Sequence, residues 1–137
     1  MKRFFLALPL LLLTAGCETY RSDPYAPVEN VRYTAIGHDP FWMVTIGDDR
    51  IVLRTAQEGG TDARAVADVA FPRTLPRTVD GVTIWESGEG TAVISIEARP
   101  GPCEGASGRR YADHVRVRLS GRELTGCGGR LLTGRRG

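Results

Sequence analysis

Tyr111-Ala112-Asp113-His114-Val115-Arg116-Val117-Arg118-Leu119-Ser120-Gly121-Arg122-Glu123-Leu124-Thr125-Gly126-Cys127 is the stretch whose reading decides the fold. Val115, Val117 and Leu119 alternate with His114, Arg116 and Arg118. That period of two belongs to a strand with one buried face. Ser120-Gly121 is a turn signal, and Arg122 to Cys127 returns as a second strand. Upstream, Cys103 opens the polar run Glu104-Gly105-Ala106-Ser107-Gly108-Arg109-Arg110. Cys103 and Cys127 therefore bracket a hairpin with a polar loop at its head.

The pattern extends toward the N-terminus. Thr91 to Arg99 alternates Ala92, Ile94, Ile96 and Ala98 with Val93, Ser95, Glu97 and Arg99. Pro100-Gly101-Pro102 reads as its end. Val82 to Glu86 is a strand carrying Trp85, followed by the turn Ser87-Gly88-Glu89-Gly90. Val31 to Ile36, Phe41 to Ile46 and Arg50 to Thr55 are three more strands, turned at Gly37-His38-Asp39-Pro40 and at Gly47-Asp48-Asp49. Ala65 to Phe71 reads equally as a strand or a short helix, and Pro72, Pro76 and Gly81 mark a turn-rich connection. No segment holds a helical period beyond two turns. The expected fold is all-β: a small antiparallel meander of seven to eight strands, barrel or barrel-like, with one disulfide.

Lys2 and Arg3 precede an apolar run from Phe4 to Leu13, which ends in Thr14-Ala15-Gly16-Cys17. The run is shorter than the roughly 20 residues a membrane-spanning helix needs. Its layout resembles a bacterial lipoprotein signal, with residues 1–16 removed and Cys17 lipidated as the new N-terminus. Residues 17–30 then form the lipidated end and a polar tether, 31–129 the domain, and 130–137 a basic tail. Glu18, rather than an aspartate, follows Cys17. By that resemblance the expected location is the outer membrane, facing the periplasm. That compartment is oxidising and disulfides persist there. Of three cysteines, lipidation of Cys17 leaves Cys103 and Cys127 as a pair. Two buried free thiols are the alternative reading.

The chain carries 18 basic and 16 acidic residues, and Lys2 and Arg3 lie in the signal, so the mature chain is formally neutral. This gives no argument for a nucleic-acid partner. His38 and Asp39 are an acid/base candidate, but before Pro40 they read more simply as a turn. The two histidines, His38 and His114, do not supply a metal ligand set, and no glycine-rich phosphate cradle is present. Ser107 lies in no strand–turn–helix elbow. No enzyme activity, metal or cofactor is expected. Phe41, Trp42 and Trp85 are core residues or, alternatively, the lining of a pocket at Trp42 and Trp85.

Gly37-x-x-Pro40-Phe41-Trp42, together with Cys103-x-Gly105-x-Ser107-x-Arg109-x-Tyr111 and Gly126-Cys127, resembles a family of uncharacterised proteobacterial envelope lipoproteins. That family shows Gly-x-x-Pro-Phe-Trp early and Cys-x-Asp-Gly-Met-Ser-Asp-Arg-x-Tyr late. Here the loop is one residue shorter, with Glu104, Ala106 and Gly108 in place of aspartate, methionine and aspartate. Ser107-Gly108-Arg109-Arg110-Tyr111 is also similar to the Ser-Gly-x-x-Tyr motif of the membrane-bound and periplasmic inhibitors of c-type lysozyme. Thr125-Gly126 lacks the lysine of their second motif. The second resemblance implies a binding or inhibitor module that presents Ser107, Gly108, Arg109, Arg110 and Tyr111 to a lysozyme-like protein partner. A carrier of a small apolar ligand and a structural envelope lipoprotein are the other two expectations.

Overall fold

The computed structural model describes residues 28, 30–56 and 66–132. Cys17, the signal and most of the tether lie outside them. The described chain is all-β apart from one 3-10 turn at Ala106–Gly108. Its strands are β1 (Tyr33–His38), β2 (Phe41–Ile46), β3 (Arg50–Ala56), β4 (Val66–Pro72), β5 (Arg77–Val79), β6 (Val82–Glu89), β7 (Ala92–Glu104), β8 (Arg110–Leu119) and β9 (Arg122–Leu131). They form one curled antiparallel sheet in the order β4-β3-β2-β1-β9-β8-β7-β6-β5.

Nine strands stand where seven or eight were expected, and strand direction explains the difference. Every neighbouring pair is antiparallel, including β1 with β9. Counting directions around the sheet makes its two ends, β4 and β5, run the same way. They are consecutive in the chain, separated only by Arg73–Pro76. Together they act as one interrupted lane. Its first part pairs with β3 (Ile51 with Phe71) and its second with β6 (Arg77 with Ile84). Pro72 and Pro76 have no N–H to give a ladder, which is why the lane breaks there. Ser87 Oγ donates to the Pro72 carbonyl at 2.5 Å across the break.

The alternation seen in the sequence becomes an inside and an outside. Cross-strand partners share a face. Ala35–Val44–Leu53 form one inward row, and Trp85–Ile96–Val117–Leu124 another. Trp42, Ile51, Leu53, Ile94, Ile96, Val44 and Val117 are all but excluded from solvent. The interior is filled by these side chains.

Three boundaries differ from the sequence expectation. The segment read as strand or short helix is a strand, β4, over Val66–Pro72. β7 runs past Pro100 to Glu104, with a register shift between Pro100 and Cys103 where Gly101 takes φ 150°. β9 continues through Gly128 and Gly129 to Leu131, so Arg130 and Leu131 belong to the sheet rather than to a tail. A Cβ on Gly128 would stand 2.7 Å from the Tyr33 hydroxyl oxygen and 2.8 Å from Val115 Cγ2. These glycines therefore mark close packing, not fraying.

Candidate binding loop

The disulfide expected from the sequence is present, joining Cys103 to Cys127 with a Cα–Cα distance of 5.5 Å across 24 residues of chain. β7 and β9 flank β8, and two strand spacings amount to about 10 Å. To reach 5.5 Å, the end of β7 bulges over β8 toward β9 while keeping its pairing to β8. The register shift between Pro100 and Cys103 makes that bulge, and Gly101 in it lies against the His114 ring. His114 Nε2 lies 2.9 Å from the Pro102 carbonyl. A carbonyl only accepts, so this nitrogen carries the proton and donates.

Beyond the bulge the pairing to β8 continues, with Cys103 opposite Tyr111 and Glu104 opposite Arg110. The Gly105 amide donates to the Arg109 carbonyl at 2.7 Å and closes the loop around the 3-10 turn. Gly105 has no side chain where a Cβ would meet the Tyr111 ring at 3.0 Å. Gly108 takes φ 68°, a conformation that favours glycine. Gly105, Gly108 and Tyr111 thus set the loop's shape. Ser107 lies within the turn. Arg109 and Arg110 are exposed and have no ion-pair partner among the described residues.

Beneath the loop, the Tyr33 hydroxyl donates to Asp113 Oδ2 at 2.9 Å, and the Tyr33 ring stacks on Trp85 at 4.9 Å. Burial, and then the bond to Asp113, push the Tyr33 phenol well above its usual range. The sequence reading missed this pair because Tyr33 and Asp113 sit on strands far apart in the chain. Their inward parity was the only available signal.

Trp42 and Trp85 are both buried. Trp42 lies over two glycines. A Cβ on Gly37 would fall against its Nε1, and one on Gly126 would be 2.8 Å from its Cζ2. The indole donates from Nε1 to the Thr125 carbonyl at 3.2 Å. The early Gly37…Trp42 motif and the late Gly126-Cys127 motif thus meet in space as one packing unit. Phe41 is half-buried at the start of β2. Neither indole lines the three surface grooves found around Val82, Val93 and Val69. His38 and Asp39 form the exposed β1–β2 turn, with a cis Asp39–Pro40 bond. They lie at the opposite end of the barrel from the 103–111 loop, so the two candidate sites are not brought together. No cluster of three or more metal-ligating side chains occurs among the described residues.

Comparisons of the chain with protein-family models, with curated proteins and with solved structures return no match. The two resemblances rest on the motif residues alone.

Proposed function

We propose that this chain is a lipid-anchored protein of the bacterial outer membrane, facing the periplasm. Its working part is the 103–111 loop, acting as a non-enzymatic binding or inhibitor module against a c-type lysozyme. One observation supports this over a carrier role. The interior around Trp42 and Trp85 is packed with the protein's own side chains, while the loop is tied down and displays two exposed arginines that have no ion pair among the described residues. A carrier needs space beside those indoles.

The chemistry of the target fits the loop. A lysozyme cleft holds two carboxylates, one of which must carry a proton to act as general acid. Arg109 and Arg110 can pair with a carboxylate through charge-assisted, bidentate contacts. The staple and the Gly105–Arg109 bond reduce the ordering cost of binding. The loop shares its end of the barrel with the start of β1. Thirteen residues, 18–30, reach on the order of 40 Å at full extension, a length sufficient to hold the loop clear of the bilayer.

Purified mature protein is expected to slow c-type lysozyme on cell-wall substrate at micromolar concentration. Ser107→Ala combined with Arg109→Ala weakens this without unfolding the domain. No inhibition with the disulfide intact would overturn the reading. The anchor is checked separately: labelled palmitate enters the wild-type protein and not a Cys17→Ser variant.

A further inference from the structure

The lane shared by β4 and β5 leaves an opening that the rest of the barrel lacks. β4 pairs with β3 on one side only, and β5 covers β6 only as far as Ile84. Above the Ser87–Pro72 bond, no backbone hydrogen bond joins β4 to β6 among the described residues. Between them runs a groove of about 610 Å³, bounded by Val69, Phe71, Pro72, Ser87, Glu89 and Ala92.

Parity marks inward-facing surface in this groove that the described residues leave uncovered. Val69 lies opposite Leu53, a core residue, and so belongs to the inward face, yet it is 45% exposed. Ala92 shares the inward parity of Ile94 and Ile96 and is also exposed. Thr74 Oγ1, which also lines the groove, is buried with no hydrogen-bond partner. A buried hydroxyl is ordinarily satisfied. The rim is acidic. Glu86 is held by Arg77 at 2.9 Å, while Glu89 has no ion pair among the described residues.

We propose that this opening is a docking slot for an extended basic polypeptide, which adds to the free edge of β4 as a further strand. Unpaired strand backbone recognises another backbone, and alternate side chains then read the pockets beside it. The added strand rests apolar side chains on Val69, Phe71 and Ala92. It sets a cationic one against Glu89. An acyl chain would satisfy the apolar surface but neither the backbone edge nor the carboxylate. The slot lies at the end of the barrel away from the 103–111 loop, so it is independent of the inhibitor reading.

The probe is the capped hexapeptide Arg-Val-Arg-Val-Arg-Val, with Glu-Val-Glu-Val-Glu-Val as control, added to the mature disulfide-bonded protein. Amide hydrogen exchange across Ala67–Phe71 is expected to slow at least tenfold with the basic peptide, which binds at least tenfold tighter than the acidic one. Glu89→Lys abolishes or inverts that preference. Val69→Arg, at an exposed position, lowers affinity at least tenfold with an unchanged melting temperature. Three results would each overturn the proposal: no added protection of β4 at saturating basic peptide, equal binding of the two peptides, or protection by dodecanoate where neither peptide gives any.

Discussion

From Asp113 to Leu119, every residue of β8 has a partner on β7 and another on β9. The disulfide then binds the two outer strands to each other over β8. On the outer surface of these strands, Arg116 and Arg118 each contact both Glu97 and Glu123, at 3.2–3.9 Å. The opposite flank has none of this redundancy. β4 has one partner strand, β5 pairs over three residues, and among the described residues the Ser87 hydroxyl is the one hydrogen bond that spans the break. Both flanks are β-sheet built from alternating residues. They differ in how many independent bonds must fail before a strand can leave. Exposed ion pairs contribute only about 0–1 kcal/mol each. The strength of the β7–β9 flank therefore comes from double-sided pairing, core rows and the covalent link.

The largest expected effect is at the junction that fastens the N-terminal strands to the strong flank. Trp42→Ala empties the space above Gly37 and Gly126 and removes the bond to the Thr125 carbonyl. A buried Trp→Ala truncation costs about 3–5 kcal/mol. Urea unfolding measures it, and a loss under about 1 kcal/mol would show that the two motifs meet without mutual support. Cys127→Ser follows. A closed loop of this length is worth roughly 3–4 kcal/mol on the chain-entropy model. A much smaller loss in melting experiments would mean that double-sided pairing alone holds β8 and its neighbours. The smallest effect is on the weak flank, where Arg54 grips Asp68 through two bonds of 2.8 Å between β3 and β4. Those hydrogen bonds, against some opposing burial, hold the Asp68 carboxyl below its usual range. A carboxyl depressed in the folded state contributes its stability above the unfolded value of about 3.9 and loses it as pH falls through the folded one. Asp68→Asn should lower stability at pH 7 by on the order of 1 kcal/mol and flatten the acid loss below about pH 4. An unaltered acid profile would show that β4 is held by its backbone ladder alone.

Alternation made most of this fold legible. Val115, Val117 and Leu119 were placed correctly on the inner face from spacing alone, as were Ile94, Ile96 and Ala98. The sequence misled wherever proline or glycine served a purpose other than ending a strand. Pro100 read as a stop, yet β7 goes on after a register shift in which Gly101 takes φ 150°. Arg130 read as the start of a basic tail, yet β9 runs on through it, and Gly128 and Gly129 before it leave room for the Tyr33 hydroxyl and the Asp113 carboxylate. β5 was hidden between Pro76 and Gly81, too short to show a period. At the candidate loop, the cysteine count together with the expected oxidising compartment pointed to the staple that is present. The bulge against His114 and the Tyr33–Asp113 bond depend on strands brought together only by folding. The choice between core and pocket for Trp42 was also beyond periodicity, because it turns on two glycines 89 residues apart in the chain that a single indole covers.

The pairing of Ala35 with Gly128 joins the first strand of the domain to its last. Every other pairing is between neighbours in sequence. Closing that one contact spans 93 residues, an entropic cost of roughly 4 kcal/mol by the loop-length relation. If the same ribbon began at β5 and ended at β4, with β9 leading directly into β1, the long closure would become a short hairpin. The break would then fall between Pro72 and Pro76, where the ladder is already interrupted. The natural strand order is thus a circular permutation of a plain up-and-down ribbon. Its one long-range pairing is a result of where the chain starts rather than of how the strands pack.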